Sequence, residues 1–213
     1  EYFFAETKAD ATKDRAKITV TDEEGDVTEL NLQLNSDGYV EFCNSIDHAG
    51  TPDADEFTWE MEYDTEGHLV VMKRSESDGE ITNITYKDGD VVKTSTRYVA
   101  SGDLNGDGII DSNDEWEYSA AIDYTTDNIT APIENKGCLM LFDEILDVDM
   151  DEMIYAYYGG MLGKATKHLP LVGHYTYNGE DSVSDMYFTW TLNSDSYPTE
   201  LVVKDQWDEY RCT

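Results

Sequence analysis

Asp103, Asn105, Asp107, Asp111 and Asp114 place side-chain oxygens at positions 1, 3, 5, 9 and 12 of one twelve-residue run, with Gly108 at position 6. Hard oxygen donors at that spacing are the chemistry of calcium. The ion takes roughly six to eight oxygens at about 2.3–2.6 Å, and a short loop can wrap it only by turning sharply halfway, where glycine accepts a left-handed backbone. Asp103, Asn105 and Asp107 would each supply a side-chain oxygen, Ile109 its carbonyl, Asp111 a direct or water-bridged contact, and Asp114 the closing carboxylate. Ile110, at position 8, would turn inward and tie the loop to the core. The role expected of the ion is structural, because crowded carboxylates repel one another until a cation sits among them.

Other chemistry is sparse. There is no Gly-x-Ser-x-Gly nucleophile elbow, and His48, His68, His168 and His174 share no zinc spacing, so they read as turn or loop residues at the surface. Gly159 to Thr166 has a faint phosphate-loop look, but Ala165 stands where a magnesium-binding hydroxyl belongs, and a helix C-terminus accounts for it better. Cys43, Cys138 and Cys212 are scattered and odd in number, and read as buried or free thiols. Catalytic and organic-cofactor residues are therefore assigned to none of these positions. Trp207, among acidic and amide neighbours near the end, is the best candidate for an exposed ring able to stack on a sugar.

The elements that must position the loop are strands. Acid-Gly pairs at Glu24-Gly25, Asp37-Gly38, Glu66-Gly67, Asp78-Gly79 and Asp88-Gly89 punctuate β-branched or alternating runs, which predicts a meander of antiparallel hairpins. Leu30, Leu32 and Leu34 share one face of a strand; Phe57, Trp59, Met61 and Tyr63 share another, opposite Glu60, Glu62 and Asp64. Met186, Phe188, Trp190 and Leu192 repeat the pattern, so Trp59 and Trp190 are expected in the core. After the calcium loop, Trp116, Tyr118, Ala120, Ile122 and Tyr124 fall at spacing two, which predicts a strand. Spacings of three and four through Phe142, Ile145, Leu146, Met153, Ile154 and Tyr157 predict one or two short amphipathic helices, giving a helical segment near 140–162. Residues 1–15 read as a linker, and 16–213 as one β-rich domain into which the loop is inserted.

With 14 Lys plus Arg against 47 Asp plus Glu, the formal charge is −33, which repels nucleic acid and anionic membrane surfaces. The apolar and aromatic content is nonetheless enough for a packed core. No apolar stretch approaches the length of a spanning helix, and a start at Glu1 suggests a mature or trimmed chain. An unpaired loop of this type has the affinity range of extracellular modules, so the calcium reading points to an exported protein.

Four short stretches carry a family resemblance: Tyr63 to Leu69, Asn135 to Leu139, Met161 to Lys164 with His168-Leu169-Pro170, and Phe188 to Leu192 with Tyr197-Pro198. From about residue 18 the chain resembles an uncharacterised family of Bacteroides-type secreted lipoproteins with a porin-like β fold. That resemblance implies a mainly β protein, an antiparallel meander forming a strongly curved sheet or half-barrel. It also implies export and a lipid-anchored cysteine upstream of Glu1, through which alone the chain would meet a membrane. The calcium segment separately resembles one half of a dockerin or EF-hand pair, with Asp114 where an EF-hand has glutamate. The expected function is a non-enzymatic envelope or cell-surface module, binding or structural, with calcium as its cofactor and a glycan or envelope protein as partner. A glycan-binding accessory protein, an enzyme using calcium structurally and an integral outer-membrane barrel are the alternatives.

Overall fold

The computed structural model describes residues 15–75, 79–99, 102, 106–109, 111, 114–139, 141–143, 145–177, 184–205 and 208–212. The expected linker therefore falls outside the described residues except for Arg15, which already begins a strand. The strands in chain order are β1 (Arg15–Thr21), β2 (Val27–Leu34), β3 (Val40–Asp47), β4 (Asp55–Tyr63), β5 (Leu69–Arg74), β6 (Glu80–Lys87), β7 (Asp90–Val99), β8 (Glu115–Asp123), β9 (Ile133–Glu134), β10 (His168–Leu169), β11 (Val172–Tyr177), β12 (Ser184–Leu192), β13 (Pro198–Lys204) and β14 (Glu209–Cys212). Twelve form one sheet in the order β1-β2-β3-β4-β5-β6-β7-β8-β11-β12-β13-β14, and β9 pairs separately with β10. From β1 to β7, neighbours in sequence are neighbours in the sheet because the hairpin connections are short, whereas β8 pairs with β11 across a long excursion. Gly25, Gly38, Gly67, Gly79 and Gly89, one from each acid-Gly pair, all hold positive φ, where a side chain would be strained. Asp22, Asn35 and Asp64 reinforce three of these turns by accepting backbone N–H bonds through a side-chain oxygen.

The chain divides into two compact units. One comprises residues 1–81 and 150–163, and the other 82–149 and 164–213. In the first unit, Ile18, Val20, Leu30, Leu32, Cys43, Trp59, Met61 and Met72 line the inner face of β1 to β5 and are buried. A 3-10 turn (Asp151–Met153) runs into α1 (Ile154–Tyr158), and buries Met153 and Ala156. Glu60 and Glu62 point outward, as alternation requires. Tyr63 is half-buried and donates its hydroxyl to the Val40 carbonyl at 2.7 Å.

In the second unit, Val91, Ala120, Ile122, Tyr175, Phe188, Leu201 and Val203 meet Phe142, Ile145, Leu146 and Val148 in the core. These last four sit at the predicted three-and-four spacing, yet the described part of 139–149 makes turns and the helical segment begins only at Asp151. Asp147, at φ +54, breaks any helix there. Burial of the apolar residues is instead fixed by hydrogen bonds from Thr94 Oγ1 to the Leu146 carbonyl at 2.6 Å and from Tyr175 Oη to the Ile145 carbonyl at 2.6 Å. Trp190 and Leu192 are half-buried rather than core, since the register of β12 on β13 shifts between Thr191 and Leu192. Trp190 reaches a polar partner, donating Nε1–H to the Pro170 carbonyl at 2.8 Å.

Candidate functional site

The apolar inner face of the first unit does not run the full length of its strands. Leu32, Cys43, Trp59 and Arg74 occupy one row across β2 to β5, and Leu30, Ser45 and Phe57 the next. Beyond them lies a polar row, with Asp47 opposite Asp55 and Thr28 donating to Asp47 at 2.6 Å. Asp151, Glu152 and Tyr155 come against this end from the helical segment. A cleft of about 580 Å³ opens between them, lined by Thr28, Asp47, Asp55, Phe57, Arg74 and Glu152 together with Glu56, Ser75, Asp151 and Tyr155.

Among the described lining residues Arg74 is the only cation, and rings and carboxylates hold it. Its guanidinium carbon lies 4.8 Å from the Phe57 ring centre and 4.9 Å from that of Trp59, so the planar cation is sandwiched by two aromatic faces. It is ion-paired with Asp151 and, at 3.6 Å, with Glu152. Glu152 also accepts a hydrogen bond from Trp59 Nε1. Burial pushes the Glu152 carboxyl above the usual glutamate range, while Trp59, Arg74 and Ser45 pull it back. Burial, and after it the nearby Glu152 charge, pushes the Cys43 thiol up to about 12, which makes it an inert core residue. With its cation committed, the cleft offers a ligand mainly acceptor oxygens from Asp47, Asp55 and Glu56, and the aromatic edges of Phe57 and Tyr155.

None of these residues was assigned a role from sequence. The signal was nonetheless present: Arg74 follows Met72 at spacing two on a strand whose Met72 faces the core, which puts a charge where an apolar residue belongs.

Of the six expected calcium ligands, Asp103 and Asn105 lie outside the described residues, as do Ile110 and the candidate sugar-stacking Trp207. Asp107, Ile109, Asp111 and Asp114 are described. Gly106 and Gly108 hold φ of +79° and +83°, the left-handed turn that the motif requires. Asp107 Oδ1 accepts the Ile109 N–H at 2.8 Å, and Asp114 Oδ2 accepts the Asp111 N–H at 3.0 Å. Asp114 is fully buried although it is a carboxylate, whereas Ile109 is exposed. Among the described residues, no three His, Cys, Asp or Glu side chains form a group able to hold a metal ion. The loop leads into β8, the strand expected in place of an EF-hand helix.

The histidines are more engaged than their sequence settings suggest. His68 is buried, its Nδ1 3.0 Å from Asp64 within a β4 to β5 turn. His168 is half-buried on β10, 2.7 Å from Asp90, in a network where Thr166 also meets Asp90 and Tyr124. His174 lies within β11 between Asp185 at 2.7 Å and Asp123 at 3.2 Å, and these carboxylates, Asp185 first, raise its pKa above the usual histidine value. His48 alone is exposed. Asp64 lies four residues from His68 within one turn, whereas Asp90 and Asp185 reach His168 and His174 only through the fold, which local sequence does not display. Cys43, Cys138 and Cys212 are free thiols, the first buried and the other two exposed. The Gly159 to Thr166 stretch does follow a helix end, with Gly159 at the C-cap of α1.

No described helix is long and apolar enough to cross a membrane, a finding silent on β-barrels. Among curated proteins, none matches the chain. Two solved structures share the fold. A porin-like protein from Bacteroides uniformis aligns at a TM-score of 0.62 and 20% identity over 97% of this chain and 74% of its own. A porin-like protein from Bacteroides vulgatus aligns at 0.62 and 16% identity over 95% and 80%. Residues 2–200 match the model of one protein family, and the chain belongs to it: the domain of unknown function (DUF4595) with porin-like fold.

Proposed function

We propose that the chain is a non-enzymatic, exported module of the cell envelope or cell surface that binds a ligand in the cleft of its first unit and is stiffened by calcium at residues 103–114. The observation that carries the binding reading is the immobilised Arg74. Two rings and two carboxylates fix the one cation of the lining, so the cleft is preorganised and what it presents to a ligand is acceptor oxygen. A ligand carrying ammonium or hydroxyl donors meets that demand, and the half-buried rings of Phe57 and Tyr155 suit its apolar C–H faces. An envelope location accords with the family's porin-like fold and with the porin-like proteins that share it; tethering through a lipidated cysteine is part of the proposal.

Calcium has a physical basis in the described part of the loop. A fully buried Asp114 carboxylate and two left-handed glycines are what the closing and turning positions of a coordination loop would need, and Asp103, Asn105, Asp107, Ile109 and Asp111 would complete it. The cleft reading is tested by calorimetry with glucosamine oligomers, whose ammonium groups are donors, against the matching N-acetylated oligomers. Saturable binding of the amine form, weakened about tenfold by Asp55→Asn with Glu56→Gln, is expected. Indifference to both substitutions would overturn it, as would no binding of the amine form.

A further inference from the structure

The solvent face of β1 to β3 carries residues that strands ordinarily disfavour. Asn31 on β2 and Asn44 on β3 are direct cross-strand partners, and Lys17 on β1 pairs with Asn31 to extend the row. The adjoining row is Arg15, Gln33 and Phe42. Asparagine is depleted in strands because its short amide competes for backbone hydrogen bonds, so two in register reflect something other than strand formation.

These six residues line a groove of about 380 Å³, completed by Ala16 and Leu32; among the described residues its lining holds no carboxylate, in a chain with 47 acidic residues. Two carboxylates flank the groove and are engaged by its lining: Glu29 lies 2.7 Å from Lys17 Nζ, and Glu41 accepts from Gln33 Nε2 at 2.9 Å. The Asn31 and Asn44 side-chain amides make no hydrogen bond to the described residues, although each offers two donors and an acceptor from a rigid strand. Beside them Phe42 is half-buried on a face that otherwise looks to solvent.

We infer that this groove is a second binding site, for an uncharged saccharide. Sugar hydroxyls both donate and accept, as amides do. Amides on adjacent strands stand about 4.8 Å apart, comparable to the span between hydroxyls across a pyranose ring. Phe42 supplies an apolar ring for the C–H face of the sugar, and Lys17, oriented by Glu29, a further donor. Three lining amides, Asn31, Gln33 and Asn44, set this groove apart from the carboxylate-rich cleft on the opposite face, so the inference stands independently of the function proposed there.

The test is a microarray of neutral, amino and uronate-bearing oligosaccharides probed with the whole chain, followed by calorimetry with the strongest neutral binder. Binding of neutral oligosaccharides is expected, with Asn44→Ala and Phe42→Ala each weakening it about tenfold, the loss of one hydrogen bond or ring contact. Asp55→Asn should leave it unchanged, which separates this groove from the cleft. Thermal melts of all variants guard against misfolding, and Asn31→Ser, which replaces the amide with a shorter hydroxyl, provides a milder probe. No neutral oligosaccharide bound at millimolar concentration would overturn the inference. Binding that survives Asn31→Ser, Asn44→Ala and Phe42→Ala, or that only uronates support, would do the same.

Discussion

Replacing Arg74 by methionine keeps most of the aliphatic stem between Phe57 and Trp59 but removes the charge that Asp151 and Glu152 face. The two arms of this interaction differ in worth. Asp151 has 42% of its side chain exposed, so that arm contributes about 0–1 kcal/mol. Glu152 is only 9% exposed beside an Arg74 that is 11% exposed. Stripping the partner from a buried charge costs about 3–5 kcal/mol, and the low end applies because Glu152 keeps its bond from Trp59. A loss of about 3 kcal/mol at pH 7 corresponds to about 6–12 °C in melting temperature for a chain of this length.

The pH dependence gives the sharper signature. Burial already raises the Glu152 pKa above its unfolded value, so its contribution to stability is greatest below the unfolded pKa and declines as pH rises through the folded one. Removing Arg74 raises the folded pKa further. The deficit of Arg74→Met relative to the unaltered protein should therefore shrink from pH 7 to pH 5. Adding Glu152→Gln should recover much of it at pH 7. Urea melts of these three proteins and of Glu152→Gln alone, at both pH values, complete the cycle. A deficit below about 1 kcal/mol at pH 7, or one that neither acid nor Glu152→Gln relieves, would refute the reasoning.

Three further outcomes follow from other parts of the molecule. His174, with its pKa raised by Asp185 and then Asp123, should contribute stability that is fully present below its unfolded value of about 6.5 and lost as pH rises through the higher folded value; His174→Gln should flatten that decline in thermal melts. At Gly163, φ is +82° and an added Cβ would sit 2.7 Å from the Gly67 carbonyl oxygen and 3.0 Å from the Tyr63 ring, so Gly163→Ala should cost about 2–3 kcal/mol by denaturant titration. For the loop, a calcium dissociation constant of about 10 µM at about 1 mM calcium stabilises by roughly 2.7 kcal/mol; Asp107→Ala should abolish the difference between melts in calcium and in chelator, and identical curves for the unaltered protein would contradict the site.

The meander was legible in the sequence because its turns are marked by acid-Gly pairs and its strands by alternation, both local signals. Trp59 and Met61 were legible for the same reason. Phe142, Ile145 and Leu146 were misleading, since a buried irregular segment and a helix can share a three-and-four spacing, and only Asp147 at positive φ separates them. Trp190 showed the limit of alternation: period two names a face, but how deeply that face is covered depends on register near the strand end. The cleft was not legible at all. Arg74 meets Asp151 and Glu152 across more than seventy residues, and only pairing of β4 with β5 under the helical segment brings them together. The histidine partners Asp90 and Asp185 were hidden in the same way, by distance along the chain or across a strand pair.

The proposal that the first unit binds a donor-rich ligand in its acidic cleft is tested most directly by where a ligand leaves its mark. Hydrogen–deuterium exchange of the whole chain with saturating glucosamine oligomers should show slowed exchange in the helical segment from Asp151 to Tyr158 and around Asp55 and Glu56 at the start of β4, while β1 stays unchanged. Unaltered exchange at both places, or protection confined to the second unit, would contradict it.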